Sequence, residues 1–482
     1  MLPKTLPKCK IVCVILILLS LTATTSGQSL NTHKLEQYMA AAIKHDYFSG
    51  SILISKNGKT VYSKGYGMAN FEHQVPNKIN TVFLIGSIVK QFTAVSIMQL
   101  VEQGKLNLDD SLTMYITNCP NAWKPVTIRN LLTHTSGIMN YSRLADWDEV
   151  HSIKPNTLID VINLVRNEPL LFAPGERFNY SNTNFDLLAI IIERLTSMPF
   201  GIYLEKNIFN PLGMKHTGPV NPRLVIFHRA SGYYTKLNKY VNAPYENLDY
   251  VMGSGSMIST VSDLQLWSQA LFTNKLISKK NLSEMFTPFK SNYGYGTETG
   301  KLFDKSTVGH SGSQNGFSTQ LLIIPEDTIT IIVLSNSDKA SAGRIAKNLA
   351  SIMLNKPYKI PTANTFEMLS VAYEKGGVIP TLQLCNELKK LEGENFDEEE
   401  ALSNLGGDLL DLKKVKDAIS IFTDLVEKKP NSSYAHDYLG TAYLQDKNYS
   451  SALKYFKKAL ELDASNKYAK KGIQEVEEAM KN

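Results

Sequence analysis

A serine and a lysine stand three positions apart at the end of an apolar run, in the segment FLIGSIVKQFTA of residues 83–94. Residues at i and i+3 share one face of a helix, so we expect the Lys90 amine to lie beside the Ser87 hydroxyl. A neutral amine can deprotonate a serine, but a free lysine, with a pKa of about 10.4, is almost wholly protonated near neutrality. Burial and neighbouring positive charge would therefore have to lower the Lys90 pKa. Such a pair suits attack on a carbonyl, with helix-terminal N–H groups stabilising the oxyanion.

The spacing alone is a weak signal, because Ser451 and Lys454 repeat it near the carboxyl terminus. There a packing or solvated role is expected. Ser87 also has an ordinary alternative, since a serine at a helix start often caps the helix through its hydroxyl. Gly86, however, permits close backbone approach, and IVKQFTAVSIMQLVEQG then reads as a helix ending at Gly104. This context favours Ser87 as a nucleophile.

A proton carrier for the leaving group is predicted in the segment PGERFNYSNTNFDLL of residues 174–188. A turn at Pro174-Gly175 brings Tyr180 and Asn182 to the start of a helix. Two other Tyr-x-Asn triplets, at 240–242 and 245–247, lie in a polar, aromatic stretch without such a helix start. Tyr180 and Asn182 are therefore the preferred candidates.

A third candidate element is VGHSGSQNGFSTQLLII, residues 308–324, in which Gly309 and Gly312 permit close main-chain approach and an apolar strand follows. GHSGS looks superficially like the G-x-S-x-G nucleophile elbow, but residue 313 is a serine and no helix follows. His310 alone would be a surface or packing residue. Its position in a small-residue strand segment makes it a site candidate.

The elements that would hold these groups predict an α+β domain. LNTHKLEQYMAAAIKHDY (30–47) has helical spacing, and GSILISKNGKTVYSKGYG (50–67) reads as two strands around an Asn57-Gly58 turn. STQLLIIPEDTITIIVLSN (318–336) predicts a second hairpin, and SAGRIAKNLASIML (341–354) a helix. Because mostly helical segments lie between, we expect one antiparallel sheet completed by both ends of the domain, flanked by helices, with a helical subdomain beside it.

A proline-bearing linker, KPYKIPTAN, precedes an all-α region predicted over 358–482. Small and apolar residues recur there after about 34 residues, the length of a tetratricopeptide repeat. Thr365 to Leu391 reads as a degenerate first helix pair, because two repeats alone would bury little core. The recurring residues are Leu405, Gly406, Ala418 and Phe422, followed by Leu439, Gly440, Ala452 and Phe456.

The amino-terminal residues 1–27 have the layout of a secretory signal: lysines, then the apolar run IVCVILILLSLTA, then small polar residues. We expect cleavage near Gly27, no membrane span afterwards, and an exported protein that is periplasmic or secreted. The net charge is +6, with no dense Lys/Arg run outside the signal, so a nucleic-acid partner is not expected. Cys119 and Cys385, which follow the signal, make neither a disulfide framework nor a metal site.

Taken in order, the motifs GSIVK, YSN and HSG resemble the serine beta-lactamase and penicillin-binding protein superfamily. The closest likeness is to its class C beta-lactamase, D,D-carboxypeptidase and esterase-like branch, over a domain spanning 28–357. Four further stretches are similar to the same branch: LLTHTSGI (131–138), PGERFNYSN (174–182), PLGMKHTG (211–218) and GSGSMISTVSDL (253–264).

The resemblance implies a role for each matching residue. Ser87 would be the acylated nucleophile and Lys90 would assist its deprotonation. Tyr180 would shuttle protons, and Asn182 would fix Lys90 and the substrate amide. The backbone N–H groups of Ser87 and Ser313 would form the oxyanion hole. No cofactor and no metal are implied.

His310 stands where many relatives of this family have the lysine of a Lys-Thr-Gly triplet. A lysine carries a permanent charge for a substrate carboxylate, whereas histidine titrates near neutrality. His310 is a candidate catalytic residue, and His310 and Gly312 are the candidates for substrate binding. The histidine in place of lysine favours an esterase or another peptidase over a D,D-peptidase or beta-lactamase proper. A catalytically idle protein that binds peptide or peptidoglycan is the alternative from another class, and the repeats are candidates for binding a protein or peptide.

Overall fold

A computed structural model describes residues 31–481, except 145–146, 155, 222, 249–251 and 394–395. The predicted signal, residues 1–27, lies outside the described residues. The chain divides into two compact units. The first runs to Tyr234 and resumes over Asn242–Ile360, and the second comprises Thr235–Val241 together with the chain from Pro361. The main-chain boundary therefore falls within the proline-bearing segment that predicted a linker.

The strands of the described residues are, in chain order, β1 (Gly50–Lys56), β2 (Lys59–Tyr66), β3 (Met68–Asn70), β4 (Val75–Pro76), β5 (Phe83–Leu84), β6 (Gly218–Pro219), β7 (Tyr233–Lys236), β8 (Lys239–Asn242), β9 (Met257–Ser259), β10 (Glu298–Leu302), β11 (Lys305–Gln314), β12 (Phe317–Ile324) and β13 (Ile329–Ser335). Six of them form the main antiparallel sheet in the order β10-β11-β12-β13-β1-β2. The small sheets pair β3 with β4, β5 and β6 with β9, and β7 with β8.

The helices of the first unit are α1 (31–44), α2 (Val89–Glu102), α3 (Ile128–Leu132), α4 (Leu158–Val165), α5 (Asn182–Thr196), α6 (Phe200–Leu204), α7 (Asn210–Leu212), α8 (Val261–Ala270), α9 (Lys279–Phe286) and α10 (Ala342–Met353). Among the helices of the described chain, none alone is long and apolar enough to cross a membrane. The helices Asn182–Thr196 and Phe200–Leu212 reach the length and apolar composition of a membrane span only when they are taken together, and they are bent by 75° relative to each other.

Both ends of the predicted domain complete the main sheet, as the α+β prediction requires. Strand β1 pairs with β13 in the register Ile52↔Val333. The turn before β2 has positive φ at Asn57 (52°) and Gly58 (72°), as type I′ hairpins demand. The sheet prediction is confirmed.

Helices cover both faces of this sheet, which explains why its strands read as continuous apolar runs. Side chains alternate between the two faces of a strand. Leu53 and Leu321 thus join the core formed with α2, α5 and α8, while Ile52 and Leu322 join the core formed with α1 and α10. The layers are helix, sheet and helix.

The second unit is helical over the described part of the chain that follows Pro361. Its helices include the predicted degenerate pair, and Gly406 and Gly440 pack against phenylalanine rings as the repeat requires. A Cβ on Gly406 would lie 2.3 Å from Phe422, and one on Gly440 would lie 2.7 Å from Phe456. The helices are α11 (Thr365–Gly376), α12 (Val378–Glu392), α13 (Glu398–Asp411), α14 (Val415–Lys428), α15 (Ser433–Gln445), α16 (Tyr449–Leu462) and α17 (Lys467–Ala479).

Candidate active site

Ser87 lies in a single 3-10 turn, Gly86–Ile88, that leads into α2. Its Oγ accepts hydrogen bonds from Lys90 Nζ (3.0 Å) and from the Tyr180 hydroxyl (2.9 Å). Neither the 3-10 turn nor α2 has a side-chain cap. The hydroxyl is therefore held by a base and a proton donor, and the alternative of a capping serine does not describe it.

The Lys90 amine is buried and has three oxygen acceptors around it. They are Ser87 Oγ, Asn182 Oδ1 at 2.9 Å and the Ser254 carbonyl at 2.7 Å. An ammonium group has three N–H donors and can serve all three. A neutral amine keeps two, so bonds to Asn182 and Ser254 would leave its lone pair for the Ser87 proton. The geometry thus accommodates both protonation states.

Burial lowers the pKa of Lys90 from its ordinary value to about 7, against the raising effects of the Asp186 and Glu298 carboxylates. A substantial fraction of the amine is then neutral near neutral pH. Burial has the opposite consequence for Tyr180, where it raises the pKa of the phenol. Tyr180 is a proton donor at neutral pH, and Lys90 is the group suited to accept a proton.

The start of α5 holds Tyr180 and Asn182 in place through groups in the preceding loops. The Ser181 N–H donates to His134 Nδ1 (3.2 Å), and the Asn182 N–H donates to Asn140 Oδ1 (3.3 Å). The rings of His134 and Tyr180 lie 4.3 Å apart. His134 is fully buried and its pKa is held well below the usual range, first by burial and then by the Lys90 charge. Neutral His134 thus supports the loop that carries Tyr180.

His310 lies on β11, 1% exposed, with both ring nitrogens engaged. Nδ1 is 2.6 Å from the Ser311 carbonyl, which can only accept, so the proton is on Nδ1. Nε2 therefore accepts from the Tyr293 hydroxyl at 2.8 Å. Burial and the Lys90 charge lower the His310 pKa. The His310 ring lies 6.4 Å from that of Tyr180 and has no hydrogen bond to Ser87 or Lys90 among those described.

Strand β11 approaches the Ser87 turn closely because each of the two segments has a glycine at the contact. A Cβ on Gly312 would lie 2.1 Å from the Ile85 carbonyl oxygen. Gly86 has a φ of +52°, and a Cβ on it would lie 2.7 Å from the Ser313 nitrogen. This approach places the Ser313 main chain against the turn that contains Ser87, its predicted partner in the oxyanion hole.

A cavity of about 430 Å³ opens onto Ser87 and is lined also by Asn182, Ser254 and Ser313. Glu246 and Asp338 contribute the acidic groups of this lining, and no lysine, arginine or histidine is among its described residues. Within the described chain, no group of three or more His, Cys, Asp or Glu side chains is placed to hold a metal ion. Ser87 is thus accessible from a cavity whose lining is polar and acidic.

Sequence reasoning brought Ser87, Lys90, Tyr180 and Asn182 together, but it missed the groups that support them. Asp186 and Ser254 had no motif of their own. Ser254 lies in the stretch 253–264 quoted for the family resemblance, and Asp186 lies in the segment 174–188 that predicted Tyr180 and Asn182. A carboxylate one helical turn after Asn182, directly before the apolar run of residues 187–192, was the available signal. His134 likewise lies in the quoted stretch LLTHTSGI.

Comparison with known proteins gives two family matches, one to each unit. Residues 32–353 match the Beta-lactamase family, and residues 433–466 match the Tetratricopeptide repeat. The sequence is 34% identical over 343 residues to Penicillin-binding protein 4* of Bacillus subtilis (strain 168), covering 66% of this chain and 75% of that protein.

The fold comparison agrees with the match to the Beta-lactamase family. The structure of the octameric penicillin-binding protein homologue from Pyrococcus abyssi aligns with a TM-score of 0.61 and 29% identity, over 72% of this chain and 82% of that one. The penicillin-binding protein from Bacillus halodurans aligns with a TM-score of 0.58 and 27% identity, over 66% of this chain and 98% of that one.

Proposed function

This chain belongs to the beta-lactamase and penicillin-binding protein superfamily of serine hydrolases, and from that premise we propose that its first unit cleaves an ester or amide through a Ser87 acyl-enzyme. One observation carries the proposal: Ser87 Oγ is shared by the Lys90 amine and the Tyr180 hydroxyl. A structural serine needs neither a base with a lowered pKa nor a second proton donor. An idle binding protein has no use for this arrangement.

Acylation proceeds by transfer of the Ser87 proton to neutral Lys90 as Ser87 Oγ attacks the carbonyl carbon. The main-chain N–H groups of Ser87 and Ser313 stabilise the resulting oxyanion. The leaving alcohol or amine takes a proton from Tyr180, and the proton on Lys90 restores the phenol. Water then attacks the acyl ester, releases the acid and returns the proton to Ser87 Oγ.

The substrate we propose has no carboxylate at the position that a lysine of the Lys-Thr-Gly triplet would contact. His310 stands there buried and neutral, with both ring nitrogens hydrogen-bonded. Glu246 and Asp338 line the cavity that opens onto Ser87 and repel an anionic group. Neutral or amine-bearing acyl esters and amides fit this wall better than peptides ending in D-Ala-D-Ala.

Labelling with a fluorophosphonate and a fluorescent penicillin tests the nucleophile. The wild-type protein is compared with Ser87→Ala and with Ser451→Ala, which changes the serine of the same spacing in the repeats. We expect labelling of wild type and Ser451→Ala and none of Ser87→Ala. Label that persists in Ser87→Ala overturns the assignment, and a wild type that neither labels nor turns over any ester or amide favours the binding protein.

A substrate panel then separates the enzymatic alternatives. It contains neutral acyl esters, a D-amino acid amide with a free amine, and a peptide ending in D-Ala-D-Ala. We expect kcat/KM to be highest for the first two. Fast turnover of the peptide supports a D,D-peptidase instead, and rapid release of the bound penicillin supports a beta-lactamase.

Export and the repeat partner are also part of the proposal. The signal-like residues 1–27 support export to the periplasm or the medium, and the helical repeats support binding of a protein or peptide. Expression of the full chain in a bacterium tests export: the mature protein should begin near residue 28 outside the cytoplasm. Full-length protein retained in the cytoplasm would contradict it.

A further inference from the structure

A buried carboxylate outside the predicted site, Asp186, lies on the face of α5 that also presents Asn182. The two residues are four positions apart, so their side chains project to the same side of the helix. Asp186 is fully buried. Burying an ionised carboxylate is costly unless it is hydrogen-bonded and paired with charge, so the groups around it define what it does.

Asp186 fixes a short segment of main chain that itself contacts Lys90. Its Oδ1 accepts from the N–H groups of Gly253 (3.1 Å) and Ser254 (3.1 Å), and its Oδ2 accepts from the Ser254 hydroxyl (3.1 Å). The carbonyl of the same Ser254 accepts from Lys90 Nζ at 2.7 Å. Asp186 thus reaches the catalytic amine through one residue.

The same segment is held from its other side by α2. Thr93 Oγ1 donates to the Gly253 carbonyl at 2.7 Å. A Cβ on Gly253 would lie 2.2 Å from the Phe185 carbonyl oxygen, so only glycine fits against α5 here. Contacts from α2 and α5 therefore hold the main-chain segment that presents the Ser254 carbonyl to Lys90.

We propose that Asp186 is a positioning residue for the Lys90 base, fixing the Ser254 carbonyl that accepts from the amine and supplying the nearby negative charge that sets the amine's protonation. The inference rests on the proposed function, in which Lys90 takes the Ser87 proton. It adds a residue that does not touch the substrate. Its effect on catalysis passes through Lys90.

The carboxylates near Lys90 favour its charged form, as the proposed role of Asp186 requires. Asp186 and Glu298 raise the pKa of Lys90 against the larger effect of burial. Burial is the main cause that lowers the pKa values of His134 and His310, and the Lys90 charge lowers both further, against the raising effect of Glu298 on His310. Both imidazoles are therefore neutral at neutral pH. Tyr180, protonated at neutral pH, faces the Lys90 amine.

Burial and the Lys90 charge are the main influences on the pKa of Asp186. Burial raises its pKa to about 7, and the Lys90 charge and the hydroxyls of Tyr141 and Ser254 act in the opposite direction. The two groups therefore titrate as a pair, each stabilising the charged form of the other. Removing the carboxylate must lower the pKa of Lys90.

Two substitutions separate position from charge. Asp186→Asn removes the charge but keeps the hydrogen bonds. Its side-chain oxygen can still accept from the Gly253 and Ser254 N–H groups, and its NH2 group can donate to the Ser254 hydroxyl. Asp186→Ala removes both the charge and the hydrogen bonds. Asp263→Asn is the matched control, since Asp263 is also buried, at 4% exposure, but bonds the His216 N–H and the Thr217 hydroxyl.

The decisive readout is the titration of Lys90 itself, followed by NMR on protein labelled with carbon-13 at the lysine ε position and assigned with Lys90→Arg. In Asp186→Asn we expect the Lys90 midpoint to fall by at least about one pH unit, as for loss of a nearby opposite charge. Asp263→Asn should leave it unchanged. This measurement needs no turnover, so it decides the inference even if the hydrolase proposal fails.

Kinetics give the second readout in an active enzyme. In Asp186→Asn the acid limb of kcat/KM should move to lower pH with the Lys90 midpoint, and in Asp186→Ala kcat should fall by about tenfold or more with little change in KM. An Asp186→Asn midpoint that equals the wild-type value overturns the inference. So does an equal displacement in Asp263→Asn, because it would reflect a general loss of structure.

Discussion

Replacement of Lys90 by arginine is the sharpest test of how the site obtains its base. Arginine keeps the positive charge and the hydrogen-bond donors but stays protonated at every accessible pH. Lys90 donates to Ser87, Asn182 and Ser254 in the ammonium form. The substitution therefore approximates that form while removing the neutral one.

The magnitude follows from the lowered pKa of Lys90, about 7 in place of 10.5. At pH 7 about half of such amines are neutral, against roughly one in 3,000 for an ordinary lysine. Burial thus increases the population of the competent base by roughly a thousandfold. Because general-base catalysis contributes about 10²–10⁴-fold, Lys90→Arg should lower kcat/KM by about that factor.

The assay is kcat/KM for a small acyl ester from pH 5 to pH 10, together with the rate of fluorophosphonate labelling. For wild type we expect a rise of about tenfold per pH unit up to about pH 7 and a plateau above it, since deprotonation creates the active form. Lys90→Arg should be slow and should lack the rise of kcat/KM below pH 7. Lys454→Arg, in the repeats, should have the kcat/KM of wild type at every pH. A wild-type rate that rises without a plateau to pH 10, or a Lys90→Arg enzyme within tenfold of wild type, would refute the reasoning.

Three further changes probe the rest of the account. Tyr180→Phe removes the hydroxyl that donates to Ser87, so steady-state kinetics should show kcat lower by about 10²–10⁴-fold with KM little changed, and an unchanged kcat would exclude Tyr180 as the proton carrier. Gly86→Ala places a Cβ 2.7 Å from the Ser313 nitrogen, which should separate the oxyanion donors and slow fluorophosphonate labelling by about 10²-fold or more; wild-type labelling would contradict this. Phe422→Ala removes the ring that packs against Gly406 and should lower the free energy of unfolding of the second unit by about 3–5 kcal/mol. Hydrogen exchange in α13 and α14 should then be faster, and unchanged exchange would show that the ring does not stabilise these helices.

The main sheet was predictable because its strands carry their own signals. The Asn57-Gly58 turn and the apolar runs of β12 and β13 specify hairpins locally. The repeat glycines are similarly readable, because Gly406 and Gly440 recur at a fixed spacing. Strand β10 gave little signal, since Glu298–Leu302 is half-exposed and short of apolar residues.

The candidate site was predictable as far as its residues lie in short motifs. Ser87 and Lys90 share a helix face, so local geometry already places them together. The contact of Lys90 with the Ser254 carbonyl joins residues distant in the chain and uses a main-chain oxygen, which no residue type encodes. His310 shows the same limit. Its place in the HSG motif suggests a group facing the substrate, whereas its hydrogen bonds with Tyr293 and Ser311 depend on tertiary packing.

The central claim, that Ser87 carries the acyl group during turnover, is tested most directly by trapping the intermediate. The full-length protein is mixed with a slowly hydrolysed acyl ester, quenched in acid and digested, and the modified peptide is sequenced by mass spectrometry. One acyl group per chain, on the Ser87 hydroxyl and absent from Ser87→Ala, is the predicted result. An acyl group on any other residue, or turnover by Ser87→Ala at the wild-type rate, would contradict the account.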